Sequence, residues 1–123
     1  MKIGISSTGE DLNADVDPRF GRCKFFLFID TESMEFETIS NESAMASGGA
    51  GIRAAQTVAK AGVKSVITGN MGPNAFQTLS AAGIKIFTGA NGPIKEIIEK
   101  YKNGELKQTK SANVTSHHGM GGR

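Results

Sequence analysis

The chain has 123 residues, which is enough for one domain with one hydrophobic core. Its 38% hydrophobic and 21% charged residues are typical of a soluble globular protein, and 14 basic against 12 acidic residues do not indicate nucleic acid as a partner. The single cysteine, Cys23, excludes an internal disulfide, and the longest apolar run, residues 25–29, is far too short for a membrane span. No signal peptide is visible, so we expect a cytoplasmic protein.

The first part of the chain predicts three strands. Residues 2–7 alternate between apolar and polar side chains, which is typical of a strand. Residues 24–30 contain an unbroken apolar run, as expected of a central strand covered on both faces. Residues 34–40 alternate after a polar turn, which predicts an edge strand antiparallel to the preceding one. The long polar loop that ends at Arg22 has the length of a functional loop.

The second part of the chain repeats one pattern: a short apolar strand, a Thr-Gly-x-x-Gly-Pro loop and a helix. Proline suits the first turn of a helix, where its missing N–H has no partner in any case. A helix with an apolar stripe precedes the two copies. The predicted strands of this part are 64–69 and 84–88, and the predicted helices are 50–62, 73–82 and 93–102.

The two repeated loops, residues 68–73 and 88–93, have the features of an anion site. A glycine loop that leads into a helix N-terminus presents free N–H groups and the positive end of the helix dipole. We interpret the tandem copies as a surface that holds a negatively charged group. The alternative is that they are tight strand-to-helix connections without a ligand.

The order of these elements predicts an α/β fold with a five-stranded mixed sheet flanked by three helices. Right-handed crossovers make the strands that flank each helix parallel, so only the second strand runs antiparallel. The carboxyl ends of the other strands then share one edge of the sheet with the start of the second strand. Ligands of open α/β sheets bind outside such an edge, so we expect the site there.

The residues expected at this edge are cations, amides and glycines, which suit a polyanion held by charges and N–H dipoles. They are Arg19, Arg22, Lys24, Asn41, Gly49, Gly51, Arg53, Gly69, Asn70, Gly72 and Asn74.

Three further residues, Cys23, His117 and His118, are candidate metal ligands. One thiol and two imidazoles fall short of the four ligands of a zinc site or the four cysteines of most iron–sulfur sites. Cys23 is open to a second interpretation as a buried, inert thiol. The histidine pair also has a second interpretation, as part of a flexible end of the chain.

The domain boundary is predicted near residue 104. Residues 1–104 contain all the expected strands and helices, and residues 105–123 have almost no apolar side chains. We therefore expect one α/β domain followed by a flexible C-terminal tail.

Three spaced motifs resemble the dinitrogenase iron–molybdenum cofactor biosynthesis domain family. They lie at residues 17–26 (DPRFGRCKFF), 49–56 (G-x-G-I-x-A-A-Q) and 69–76 (G-x-x-G-P-N-A-F). The resemblance covers roughly residues 1–105. It implies a three-layer α/β domain of ribonuclease-H-like topology that carries or stores metal–sulfur clusters. The family includes nitrogenase cofactor carriers and small stand-alone domains, and this chain has the form of the latter.

The sequence therefore leads to a non-enzymatic carrier or scaffold for an anionic metal–sulfur cluster of the iron–molybdenum type. Proteins that donate or accept the cluster are the expected partners, with no nucleic acid and no membrane. The alternative is a nucleotide- or phosphate-binding regulatory module that uses the same loops. A nuclease of this topology would need carboxylates on the first strand to hold a divalent metal, and residues 2–6 contain none.

Overall fold

A computed structural model describes residues 1–45 and 48–113 of the chain. In these ranges lie eight regular elements and one short 3-10 helix, Glu42–Met45. The strands are β1 (Lys2–Ser7), β2 (Phe25–Asp30), β3 (Phe36–Ser40), β4 (Ser65–Ile67) and β5 (Lys85–Phe87), and the helices are α1 (Ala50–Lys60), α2 (Pro73–Ala81) and α3 (Ile94–Lys102). The eight predicted elements are confirmed, and only the 3-10 helix was not expected.

The five strands form one mixed sheet in the order β3-β2-β1-β4-β5. Strand β1 pairs in parallel with β4, and β4 with β5, while β2 is antiparallel to both β1 and β3. The predicted antiparallel direction of β2 is confirmed by the pairing of Ser7 with Phe25. The carboxyl ends of β1, β3, β4 and β5 and the start of β2 therefore share one side of the sheet, called the loop edge below.

The sheet separates two hydrophobic cores because successive side chains of a strand point to opposite faces. Phe26, Val66 and Ile86 face the core beneath α1 and α2. Leu27 and Ile67 face the core beneath α3. The result is the expected three-layer α/β fold of ribonuclease-H-like topology, with two helices on one face of the sheet and one on the other.

Beyond α3 the chain returns along the outer side of β5. Leu106 packs against the core beneath α3, and the backbone N–H of Thr109 donates to the carbonyl of Ile86 at 2.7 Å. The Thr109 hydroxyl accepts the N–H of Thr88 at 2.9 Å. Residues 114–123 lie outside the described residues, so the flexibility predicted for the whole tail stays a prediction. Within the described ranges, no helix has the length and apolar character needed to cross a membrane.

Candidate functional site

The loop edge contains a cleft of about 400 Å³ between the first turns of α1 and α2. One wall comes from the start of α1, another from the loop between β4 and α2, and the third from the segment before β2. The cleft is lined by Arg19, Phe20, Gly21, Gly49, Ala50, Gly51, Ile52, Asn70, Met71, Gly72, Pro73, Asn74 and Ala75. A volume of this size is typical of a small-molecule site.

The two helices that meet at the cleft begin without a side-chain cap. Gly49 precedes α1 and Gly72 precedes α2, and neither glycine has a side chain that could cap the helix. The first N–H groups of a helix have no carbonyl partner within that helix. Both helices also direct the positive end of their dipole to this point, which favours a negative group there.

Glycines allow the three walls to approach one another closely. A Cβ atom on Gly69 would lie 2.6 Å from the Cα of Pro18, and a Cβ atom on Gly21 would lie 3.0 Å from the Cα of Gly51. Backbone atoms occupy both positions, so rotation of a side chain would not relieve the contact. These glycines are required by packing, a reason that differs from the ligand contact expected for Gly69.

Residues 17–21, called the arginine loop here, are fixed to the loop between β4 and α2 by backbone hydrogen bonds. The N–H of Asn70 donates to the carbonyl of Pro18 at 2.7 Å, and the N–H of Phe20 donates to the carbonyl of Asn70 at 3.2 Å. The Asn70 side-chain amide adds a second bond to Pro18, at 3.1 Å. Arg19, which lies between Pro18 and Phe20, is thereby held at the cleft.

Arg19 supplies the cationic group of the cleft. Its side chain is 63% exposed, and its Nε lies 3.4 Å from Oδ1 of Asp17, a carboxylate that is almost fully buried. The same Oδ1 accepts the backbone N–H of Arg19 at 2.9 Å. No described residue hydrogen-bonds to the two Nη groups of Arg19. Asp17 therefore orients the guanidinium while leaving its outer N–H groups available to a ligand.

Six of the predicted site residues line the cleft: Arg19, Gly49, Gly51, Asn70, Gly72 and Asn74. The other five anion-binding candidates, Arg22, Lys24, Asn41, Arg53 and Gly69, lie near the loop edge but outside the lining. A role in binding for these five stays a prediction.

Two of these five have contacts that explain their position. The side-chain amide of Asn41 donates to the carbonyls of Gly21 and Cys23, at 3.1 and 2.9 Å, and so connects the start of β2 to the end of β3. The Nη1 of Arg22 donates to the carbonyl of Ala44 at 2.7 Å, on the 3-10 helix. Both side chains thus hold neighbouring segments together.

The sequence prediction missed the apolar part of the lining. Phe20, Ala50, Ile52, Met71, Pro73 and Ala75 contribute apolar surface to the cleft, and Gly21 contributes backbone. Each of these residues is adjacent or next but one to a predicted site residue in the sequence. That adjacency is the signal in the sequence, and a search for polar groups and glycines alone does not detect it.

Cys23 lies in the core beneath α1 and α2 and has no exposed surface. Its thiol donates to the carbonyl of Phe20 at 3.3 Å. Burial, with a smaller contribution from the carboxylate of Asp17, raises the pKa of Cys23 to about 12. The thiol is therefore neutral at physiological pH, whereas metals bind the thiolate.

The other two candidate metal ligands, His117 and His118, lie outside the described residues. Within the described ranges, no group of three or more histidine, cysteine, aspartate or glutamate side chains is placed to hold a metal ion.

The second repeated loop, residues 88–93, does not line the cleft, although both loops were expected to form the site. Its Gly89 N–H donates to the carbonyl of Gly69 at 2.8 Å. The loop between β1 and β2 covers the other end, where the N–H of Ile94 donates to the carbonyl of Ala14 at 3.0 Å. At least one N–H group at the start of α3 thus has a hydrogen-bond partner within the protein.

The fold and the cleft define a small three-layer α/β domain with its candidate site at the carboxyl ends of the parallel strands. Comparison with known proteins identifies its family. The model of the dinitrogenase iron–molybdenum cofactor family matches residues 1–104, and the chain belongs to that family. The resemblance of the three sequence motifs is thereby confirmed.

Solved structures support this assignment. The apo form of the orange protein from Desulfovibrio gigas is 38% identical, with a TM-score of 0.88 over 91% of this chain and 95% of that one. A candidate NifB protein from Thermotoga is 37% identical, with a TM-score of 0.75 over 87% and 91% of the two chains. A candidate dinitrogenase from Methanocaldococcus jannaschii, 23% identical with a TM-score of 0.67 over 90% and 96%, shares the fold. No protein of curated function matches the chain.

Proposed function

We propose that this domain is a non-enzymatic carrier or scaffold for an anionic metal–sulfur cluster of the iron–molybdenum type, bound in the cleft between α1 and α2. The observation that carries the proposal is the composition of the cleft. Among the described residues, the lining contains one arginine, two helix N-termini without a side-chain cap and several apolar side chains, and no acidic residue. These groups suit a negatively charged ligand with a weakly hydrated surface.

The charge of the cleft favours an anion. Arg19 contributes positive charge, reduced by the neighbouring carboxylate of Asp17, and the first turns of α1 and α2 each contribute N–H groups and about half a charge. The amides of Asn70 and Asn74 lie in the same lining. A charge-assisted hydrogen bond contributes about 1.5–3 kcal/mol, so a few such bonds are enough for useful affinity.

The apolar walls favour a metal sulfide over a phosphate. Phe20, Met71 and Ala75 are buried side chains at the back of the cleft, and Ile52 lies at its rim. Phosphate oxygens are strongly hydrated, and their burial against such surface is unfavourable. Sulfide is larger and more polarisable, and it loses less hydration in contact with apolar and thioether groups.

A carrier must also release its cargo, and the described residues are consistent with this. The part of the lining that the structure describes contains no cysteine and no histidine. A cluster held there by charge and hydrogen bonds can be transferred without breaking a bond between protein and metal. We propose proteins that donate or accept the cluster as the partners, and the predicted cytoplasmic location belongs to the same proposal.

The family and its members support the proposal through their names. The family is that of the dinitrogenase iron–molybdenum cofactor, and the Thermotoga relative was described as a NifB candidate. The family model matches residues 1–104, and the Thermotoga relative covers 87% of this chain. The family thus fits a cofactor-related, non-enzymatic role, and the cleft is the location that we propose for it.

The experiment is a titration of the full chain with tetrathiomolybdate, followed by visible absorbance. Arg19→Ala should weaken binding about tenfold or more, because one charge-assisted contact of at least about 1.4 kcal/mol is lost. Lys64→Ala is the control, since Lys64 is exposed just before β4, at the end of the sheet opposite the cleft. It should change the affinity by less than about threefold, the effect of a distant, screened charge.

Two results would count against the proposal. If wild type binds inorganic phosphate or a nucleotide more tightly than tetrathiomolybdate, the domain is the phosphate-binding module considered above. If Cys23→Ser abolishes tetrathiomolybdate binding while Arg19→Ala leaves it unchanged, the ligand is held by a thiolate. The raised pKa of Cys23 leads us to expect that Cys23→Ser binds normally.

A further inference from the structure

Asn113, in the segment that follows α3, contacts one wall of the cleft through both its backbone and its side chain. Its Oδ1 accepts the N–H of Met71 at 2.7 Å, and its own N–H donates to the carbonyl of Met71 at 3.2 Å. Its Nδ2 donates to the carbonyl of Gly69 at 3.2 Å. The side chain therefore hydrogen-bonds to backbone groups of the loop that leads into α2.

The same amide continues a chain of hydrogen bonds across the cleft wall. Nδ2 of Asn113 donates to Oδ1 of Asn70 at 3.1 Å, and Nδ2 of Asn70 donates to the carbonyl of Pro18 at 3.1 Å. Pro18 directly precedes Arg19. Asn113 is thus connected through one intermediate side chain to the loop that carries the cationic group of the cleft.

The position of Asn113 is fixed from the other side as well. Four residues earlier, Thr109 is bonded to β5 through its backbone N–H and to Thr88 through its hydroxyl. Residues 105–113 therefore run from β5 to the cleft with bonds at both ends. This segment lies beyond residues 1–104, which the family model matches.

We propose that Asn113 is a positioning residue for the cleft: it holds Gly69, Asn70 and Met71 in the conformation that forms the ligand-binding wall. For its ligand the inference rests on the function proposed above. Binding of the anion and docking of residues 105–113 are then coupled, and each stabilises the other to the same extent.

The test compares Asn113→Ala with wild type and with Asn103→Ala. Asn103 is a suitable control because its side chain donates only to Glu105, at 3.3 Å, away from the cleft. Two quantities are measured: the amide hydrogen exchange of Met71 in the free protein, and the affinity for tetrathiomolybdate. Asn113→Ala should accelerate exchange at Met71 and weaken binding, both by roughly tenfold, while exchange in β1 and β2 stays as in wild type.

The two readouts separate failure of this inference from failure of the proposed function. Unchanged Met71 exchange in Asn113→Ala overturns the inference, as does an unchanged affinity for tetrathiomolybdate. Accelerated exchange throughout the sheet also overturns it, because the asparagine then has only a general structural role. If wild type does not bind tetrathiomolybdate, the proposed function fails, and the Met71 exchange rate alone decides whether Asn113 holds the wall.

Discussion

The two Thr-Gly-x-x-Gly-Pro loops have one sequence pattern and two different environments. Residues 70–73 of the first loop line an open cleft, and the helix that follows them begins without a side-chain cap, as α3 does too. Residues 88–93 lie beneath the loop between β1 and β2, whose Val16 N–H donates to the carbonyl of Gly92 at 2.9 Å. The comparison shows that a glycine loop before a helix becomes a potential anion site only where the rest of the chain leaves it uncovered.

The glycines at equivalent positions are needed for different reasons. Gly69 is required because Pro18 lies against it, and Gly89 is required because its φ of 82° is in the left-handed region. No atom lies within 4 Å of a Cβ built on Gly89. A close contact between backbones and a strained dihedral angle have different energetic costs, so alanine substitution distinguishes the two loops.

The largest effect is expected from Gly69→Ala. Its Cβ would meet the Pro18 backbone, so the two loops must separate, at a cost of about 3 kcal/mol in the free energy of unfolding. Gly89→Ala should cost only about 1 kcal/mol, the typical strain of an alanine at positive φ. Urea unfolding of both variants measures the difference. Equal losses would show that the contact between Gly69 and Pro18 relaxes without strain.

The next effect concerns ligand binding. Asn74→Asp places a negative charge in the cleft at the start of α2, and Asn91→Asp places one on the covered loop, where Asn91 is exposed. We expect Asn74→Asp to weaken tetrathiomolybdate binding about tenfold at low salt, from repulsion of about 1–2 kcal/mol. Asn91→Asp should have little effect on it.

Stability provides the control for this pair. An acidic residue in the first turn of a helix stabilises it by about 0.3–1 kcal/mol, so Asn74→Asp should unfold at the same temperature as wild type or slightly higher. Weaker binding in a protein of undiminished Tm cannot be attributed to unfolding. If the two variants bind equally well, the open loop has no preference for the anion over the covered one.

The smallest effect concerns the core beneath the open loop, which contains Cys23. The folded-state pKa of about 12 exceeds the ordinary value of 9.0, so the neutral thiol stabilises the folded state fully below pH 9. This stabilisation is lost as the pH rises from 9 toward 12. At about pH 10 the loss should be about 1 kcal/mol.

The measurement is the difference in free energy of unfolding between wild type and Cys23→Ser, at about pH 8 and about pH 10. The difference cancels the titration of lysines and tyrosine, which both proteins share. We expect the difference in free energy of unfolding in favour of wild type to decrease by about 1 kcal/mol between these two pH values. A pH-independent difference would indicate that the Cys23 thiol ionises at its ordinary pKa in the folded protein.

Local patterns were sufficient to predict the fold. The apolar run of β2 and the turn before β3 indicated an antiparallel hairpin, and the prolines at positions 73 and 93 marked the starts of α2 and α3 within one residue. Crossover handedness then determined the strand directions. These features depend on neighbours in the sequence, which is why they could be read without the structure.

The site could be predicted only in part, because its other features depend on contacts between distant residues. Asn41 carries an amide of the kind that binds ligands, yet its side-chain NH2 group donates to the carbonyls of Gly21 and Cys23. The environments of the two repeated loops differ through residues 8–17, which do not belong to the repeat. The contact of Asn113 with Met71 joins positions 42 residues apart, and no local pattern signals it.

The segment after α3 has a further consequence, for the way in which copies of the chain can associate. Strand β5 is a sheet edge, and the unpaired backbone groups of such an edge can pair with a strand of another molecule. Here the N–H of Thr109 donates a hydrogen bond to the carbonyl of Ile86, in the middle of β5. The opposite edge, β3, carries the exposed charge of Glu37 and follows the irregular backbone at Met34, whose φ is 64°. Both edges are thus protected against intermolecular strand pairing by different means, one by the chain's own C-terminal segment and the other by charge and a local distortion.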